Sequence, residues 1–432
     1  MKRISLSIFL VVITCGLAAA QQEKVLWTFP PDAKDGINPY GNLVFDRAGN
    51  LYGTTSEGGS SGAGVVFELS PQSNGSWNET VLHNFCSLDD NECPDGSSPQ
   101  AGIAIDAAGN LYGTTVYGGR PCRMISYDRS CGTVWKLSPP AAGGNSWSYE
   151  VLYRFCATGG ERKCEDGAYP SGPLVFDAAG NLYGEANFGG NGRNLAGVVF
   201  ELAPGSSEGK SSGWSEKILY SFCSEGSGQA CPDGLNPWGG VVFDQSGNLY
   251  GTTTAGGSPD GWGGGVVFKL TPGAEKWSES VLLAIPKSVN QPGGPQGGVA
   301  ISPDGYLYGT IQYNGENANG SVFRMPIAGG TPDYFYFDNS DGAGPAAQIL
   351  IDSKRNVLYS TTAYGGADLY GFGGTVFQID SNWNESVAHS FCSLPHCADG
   401  VQPEGPVIED QNGNLYGMTY GGGVVYEIET SD

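Results

Sequence analysis

Gly49-Asn50-Leu51-Tyr52-Gly53-Thr54-Thr55 decides the fold, because the same seven residues return intact at Gly109–Thr115 and Gly247–Thr253. Variants stand at Gly180–Ala186, Gly305–Ile311, Asn356–Thr362 and Gly413–Thr419. The seven copies are anchored on Tyr52, Tyr112, Tyr183, Tyr250, Tyr308, Tyr359 and Tyr416, at intervals of 51 to 71 residues. A repeat in register overrides any division of 432 residues into ordinary domains.

Around the first copy, Gly41–Asp46 reads as strand one and Arg47-Ala48-Gly49 as a tight turn. Asn50–Thr55 is strand two, Ser56–Ala63 a glycine-rich loop, Gly64–Leu69 strand three and Thr80–Phe85 strand four. Apolar and polar residues alternate along these runs, the period-two signal of a sheet. The chain ends in a third strand, Gly423–Ile428, and begins, after a leader, with a fourth strand, Lys24–Phe29. Pairing the two completes a last blade and removes the free sheet edge. The expectation is an all-β, seven-bladed β-propeller of four-stranded blades, closed between the N-terminal strand and the C-terminal blade. Its 70 glycines, about twice the usual fraction of roughly 7%, suit the many turns.

Residues 1–20 read as a signal peptide. Lys2 and Arg3 precede the apolar run Ile4–Leu17, and Ala18-Ala19-Ala20 supplies the small residues for cleavage after Ala20. Thr14 before Cys15 matches a lipoprotein anchor poorly. Residues 21–432 then form one domain, expected to be secreted, periplasmic or on the cell surface, without a membrane span and monomeric. The 21 basic residues against 44 acidic ones give a net charge of −23, which repels nucleic acid and anionic membranes. The ten cysteines after the leader form five close pairs: Cys86/Cys93, Cys122/Cys131, Cys156/Cys164, Cys223/Cys231 and Cys392/Cys397. In an exported chain such local pairs imply disulfides, while zinc ligation finds the wrong spacing and few histidines.

The string Gly-Asn-Leu-Tyr-Gly-Thr-Thr, followed by Gly-Gly and Gly-Val-Val-Phe, resembles the GloVer tandem-repeat family of bacterial exported proteins, from about Lys24 to Glu429. The resemblance implies a bacterial extracytoplasmic protein, a kind often tethered by a C-terminal anchor. Here the chain stops at Asp432, just after the last strand, so no such anchor is expected. The family supplies no catalytic residues to carry over.

Chemistry has few candidates. Gly-x-Ser-x-Gly at Gly58–Gly62 and Gly205–Gly209 lies in loops with no helix following, so it is no nucleophile elbow. His83 and His389 share a strand-four position with Trp27, Tyr153 and Tyr220, and His396 lies in a cysteine loop. A Ser-His-Asp mechanism is hard to assemble from these. Asp35, Asp95, Asp166, Asp233, Asp341 and Asp399 each precede a glycine, which suits turns. The competing reading is a ring of oxygens holding Ca²⁺, so the expectation is no cofactor, with calcium as the runner-up. Before Gly297, Gln291-Pro292-Gly293-Gly294-Pro295 replaces the aspartate string.

Departures from the repeat point to a ligand. Tyr117, Phe188, Tyr313 and Tyr364 follow the Thr-Thr-x positions, Tyr420 falls close by, and Tyr40 and Trp238 follow a blade-to-blade proline. With Asn187 and Gln312 they pair apolar faces with polar edges, as sugars or peptide side chains require. Glu185 replaces a repeat threonine and is the one candidate acid. The leading expectation is a non-catalytic binding or scaffold module with a polysaccharide or protein ligand on the cysteine-rich face. The alternatives are a carbohydrate hydrolase or lyase using Glu185 and a neighbouring aspartate, and a purely structural envelope protein.

Overall fold

A computed structural model describes residues 22–430 apart from 88–92, 124–128, 142–143, 206–212, 227–229, 259–262, 287–292, 316 and 369–370. The expected signal peptide, its cleavage site and Cys15 lie outside the described residues, as do Gln291, Pro292 and most of Gly205–Gly209.

Seven antiparallel sheets follow one another around a ring as a β-propeller. Blade one pairs Ile37–Phe45, Leu51–Glu57, Val65–Pro71 and Trp77–Asn84 in that order. Strands three and four run farther than the sequence suggests, because their hairpin continues to Pro71 opposite Trp77. The last blade is completed by Gln22–Thr28 pairing with Val424–Glu429, Gln22 opposite Glu429 and Thr28 opposite Val424. Among the described residues no helix is long and apolar enough to cross a membrane.

The repeated residues each have a mechanical reason. Asp46 closes the first turn: Oδ1 accepts the N–H of Ala48 (2.8 Å) and Asn50 (2.9 Å), while Oδ2 accepts the Asn50 amide (2.9 Å) and the Tyr52 hydroxyl (3.2 Å). Asp106, Asp177 and Asp244 bind their asparagines and tyrosines in the same way. The central glycine makes room for an aromatic ring. A Cβ on Gly53 would meet the Phe67 ring within 3 Å, and Gly184, Gly251 and Gly309 lie likewise under Phe200, Phe268 and Phe323. That ring receives the last aromatic residue of the preceding blade edge-on: Phe29 on Phe67 (5.0 Å), Phe155 on Phe200 (5.2 Å), Phe222 on Phe268 (5.1 Å) and Phe337 on Phe377 (5.0 Å).

A one-residue bulge in strand four aims these aromatics inward. The ladder jumps from His83 opposite Val66 to Val81 opposite Phe67, leaving Leu82 unpaired. The same jump occurs in five other blades, at Leu26, Leu152, Leu219, Leu282 and Ala388.

The seam is completed by a glycine and a proline. Gly64, Gly132, Gly197, Gly320 and Gly374 precede strand three with φ between +83° and +98°. A Cβ would lie 2.7 Å from Pro99 Cδ at Gly64 and 2.6 Å from Pro170 Cδ at Gly132, and at Gly197 it would strike Pro237. Threonine hydroxyls latch the same seam, Thr310 donating to Ala347 O (3.0 Å) and Thr361 to Gly405 O (3.0 Å) of the next blade.

Gly197→Ala should therefore cost about 3 kcal/mol in urea unfolding, combining left-handed strain with overpacking. Gly180→Ala, at φ +86° with nothing within 4 Å, should cost only about 1 kcal/mol. Equal losses would mean that the proline seam is not tightly packed.

Candidate functional site

The start of strand one lies beside the end of strand two, with Ile37 opposite Glu57. The blade-to-blade loops and the loops between strands two and three therefore share one face. All five disulfides form there, Cys86–Cys93, Cys122–Cys131, Cys156–Cys164, Cys223–Cys231 and Cys392–Cys397. Four of them close the loop after strand four, whereas Cys122–Cys131 braces the loop between strands two and three of blade two. Cys131 Sγ lies 3.8 Å from Cys164 Sγ, so two bridges pack against each other.

The Asp-Gly aspartates hold these loops from beneath. Asp166 accepts the Tyr153 hydroxyl (2.8 Å) and the N–H groups of Ala157 (2.8 Å) and Thr158 (3.0 Å). Asp233 accepts Tyr220 (2.8 Å) and Ser224 N–H (2.8 Å), and Asp399 accepts the N–H of Ser393 (2.8 Å). His83 and His389 occupy the place of those tyrosines, with Nε2 at 3.4 Å from Asp95 and 3.7 Å from Asp399. His83 also stacks on Tyr149 at 3.8 Å.

At the centre of this face lies the mouth of the channel. Strand one follows a proline in every blade, and the next residues, Tyr40, Gln100, Ser171, Trp238, Gln296, Ala346 and Glu404, line a cavity of about 70 Å³. The Tyr40 hydroxyl bonds the Glu404 carboxyl. Burial raises the Glu404 pKa above the usual carboxylate range, partly offset by that bond. Gln296 Nε2 donates to Gln312 Oε1 (2.7 Å). Among the described residues no Lys, Arg or His lines the cavity.

Of the expected ligand residues, Tyr40 and Trp238 line this cavity, and Gln312 reaches it through Gln296. Tyr420 meets Tyr40 edge-on at 6.1 Å. Tyr313 and Tyr364 are half-buried, and Tyr313 lies close enough to Tyr364 and Glu404 to feel both electrostatically. Tyr117 and Phe188 form an arc on the opposite side, joined through Tyr169 at 5.8 and 5.7 Å. Asn187 is buried and bonds Pro237 O (3.3 Å).

Glu185 lies inside the wall between blades three and four. It takes the threonine latch position but reverses the bond, with Oε2 accepting Gly240 N–H at 2.9 Å. Burial pushes its pKa up to about 8, with only Gly240 N–H opposing. Glu404, Gln100, Gln296 and Tyr169 were not singled out from the sequence. For Glu404, Gln100 and Gln296 the signal was the register of the Pro-x position, which fixes where a side chain starts but not that seven of them converge.

A model of the Gloeobacter/Verrucomicrobia repeat matches residues 16–261 and 211–429. The chain belongs to this family. No curated protein sequence matches it. Among solved structures, this Gloeobacter/Verrucomicrobia repeat protein is similar to the polysaccharide lyase Uly1, with a TM-score of 0.51 and 12% identity, covering 92% of this chain and 91% of that one. It is also similar to a glucose dehydrogenase (TM-score 0.45, 11% identity, covering 95% and 100%) and to a protein of unknown function from Dyadobacter fermentans (TM-score 0.45, 11% identity, covering 84% and 96%). At these identities the likeness shows the fold alone.

Glu185 is buried, and four half-buried glutamates are shifted in the same direction. Burial, followed by the charge of a facing aspartate, raises Glu23 to about 7 (Asp399), Glu79 to about 7 (Asp35), Glu279 to about 8 (Asp233) and Glu385 to about 7 (Asp341). A carboxyl raised in the folded state contributes stability in acid that is lost as pH climbs from 4.5 through 7–8. Asp106, Asp177 and Asp244 act oppositely: burial raises them, but the combined hydrogen bonds win and hold them below the usual range. Their contribution is lost in strong acid. The repeat protein should therefore show its highest Tm near about pH 4–5 and a falling Tm towards pH 8. The fall should be shallower in Glu185→Gln. A Tm rising between pH 5 and 8 would contradict the buried protonated acids.

Proposed function

We propose that this protein is an extracytoplasmic binding module that holds a polysaccharide or protein ligand across the channel mouth on its disulfide-braced face. The observation carrying this reading is the convergence of Tyr40, Trp238, Glu404, Gln100 and Gln296 at five of the seven equivalent positions of a repeating scaffold. A repeat built only for support has no use for different side chains there. The two rings supply flat apolar contact, and the amides and the carboxyl supply donors and acceptors, the combination that recognises hydroxyl-bearing or amide-bearing ligands. The cavity has room for one inserted group, so a polymer would lie over the rim and meet Tyr420, Tyr364 and Tyr313 on one side. Five disulfides suit a binding face exposed outside the cell.

The hydrolase or lyase reading gains a protonated acid in Glu185 but no access, because that side chain is buried in a blade wall and does not line the mouth. A glycan array and a protein pull-down test the binding reading. Saturable binding should weaken at least about tenfold in Trp238→Ala and persist in Glu185→Gln. No saturable ligand in either assay would refute it.

Calcium is not part of the proposed site. Asp166 and Asp399 spend both carboxyl oxygens on loop N–H groups, and Asp233 spends Oδ2 in the same way. The Tm should be the same in excess calcium and in excess EDTA, and a calcium-dependent rise would restore the cation reading.

A further inference from the structure

The opposite face, made by the Asp-x-x-Gly turns, departs from the repeat at one seam, between blades five and six. Ser302 stands where the other turns use aspartate, and Tyr306 stands where all but blade six, which has Val357, use asparagine. Arg324 replaces the Glu68, Lys136, Glu201, Lys269, Gln378 or Glu427 of the other third strands. In blade six the turn from Asp352 to Val357 is one residue longer than the others. These changes coincide with a cavity of about 280 Å³, four times the volume at the channel mouth.

Trp383 closes this cavity in a costly conformation. It ends an Asp380-x-x-Trp turn, its N–H bonding Asp380 O (3.0 Å) as Gly49 N–H bonds Asp46 O (3.3 Å). Gly49 has φ +88°, and Trp383 has φ +67° in the place of such a glycine. A bulky residue there costs about 1–2 kcal/mol and persists where something requires it. Its ring lies 4.7 Å from the Arg324 guanidinium, which also sits 5.6 Å from Tyr306. Arg324 bonds Asp333 at 2.8 Å through Nη2, yet Arg324 Nε and Trp383 Nε1 are both buried without a hydrogen-bond partner. Neither atom is reached by solvent, so contact with anything in the cavity falls to the Arg324 Nη groups and the Trp383 ring.

The charges select the class of acceptor. Arg324 is answered by Asp333, and Asp304 and Asp380 line the same cavity, so an anion meets net repulsion. A hydroxyl group can accept from the Arg324 Nη groups and donate to Asp304 or Ser381. Trp383, Tyr308 and Leu358 supply an apolar wall. The volume is at the low end for small-molecule sites, roughly 300 Å³.

We propose that this turn-face cavity binds a neutral, hydroxyl-rich ring of monosaccharide size, packed against the Trp383 ring and held through its hydroxyls by the Arg324 Nη groups, Asp304 and Ser381. The inference is independent of the ligand at the channel mouth.

The test is calorimetric and fluorescence titration of the intact protein with D-glucose, D-galactose and D-mannose, and with D-glucuronate as the charged probe. A neutral sugar should bind saturably at millimolar concentrations or below. Arg324→Gln, which installs the residue blade six carries as Gln378, and Trp383→Gly, which restores the usual turn residue, should each weaken it at least about tenfold. Gln72→Ala, at an exposed turn residue of blade one, should not change it. The proposal is overturned by no saturable response to any neutral sugar, by tighter binding of D-glucuronate, by full affinity in Arg324→Gln, or by an equal loss in Gln72→Ala.

Discussion

One aromatic ring per blade holds the propeller together. The third-strand aromatic lies over the glycine of its own second strand, except in blade six, and meets the last aromatic of the preceding blade, a place that Ile285 takes before Phe323. Each such ring contributes about 1.5–3 kcal/mol by burial, and the edge-to-face geometry adds about 0.5–1.5 kcal/mol. Because the contact always runs from one blade to the next, a blade satisfies it only in company, and the ring must close. The N-terminal strand serves this need by carrying Phe29 to Phe67 while it pairs with the last blade.

That constraint explains where variation is tolerated. The Leu-Tyr-Gly run of strand two is the most constrained, since its leucine is core, its tyrosine caps the aspartate turn in five blades and its glycine lies beneath a ring. Blade six departs with Ser360, and its side chain bonds Ala347 O (3.3 Å) and Gln348 O (3.1 Å) instead. The Pro-x position is under no such demand, because only its backbone enters the seam. The seven residues at the mouth are thus free to differ while their positions stay fixed, which is the condition for placing a binding site on a symmetric frame.

The architecture was legible because it rests on local signals repeated seven times: the turn aspartate, the Leu-Tyr-Gly run and the cysteine pairs. The strand-four bulge was not, since Val81-Leu82-His83 looks like plain alternation until Leu82 is found unpaired. The aromatics Tyr117, Phe188, Tyr313 and Tyr364 stood out individually, but their spacing along the chain cannot reveal that Tyr169 bridges two of them or that Glu404 bonds Tyr40. Glu185 was visible as a departure from threonine. What it does depends on the neighbouring blade, where Gly240 N–H replaces the carbonyl that a threonine would have addressed. The turn-face cavity was hidden for a different reason: its lining residues come from turns and strands of two blades, and their spacing along the chain does not show that they meet.

Glu185 shows how such a frame absorbs a charged residue. A threonine at a seam donates to a carbonyl, so it can be exchanged only for a group that finds a donor instead. Glu185 finds Gly240 N–H for Oε2, while Oε1 faces Gly251, where any side chain would collide with it. Its second oxygen is buried without a partner, and holding a proton is cheaper than holding a charge there, which is the origin of its raised pKa. The acid is therefore a strained member of the blade wall, tolerated because the glycine it leans on is one that every blade but the sixth already keeps for its aromatic ring. A perturbed carboxyl in a propeller of this kind is as much a consequence of the seam as a mark of chemistry, and the side chains that answer to no seam, at the mouth and in the turn-face cavity, are the better guide to what the protein binds.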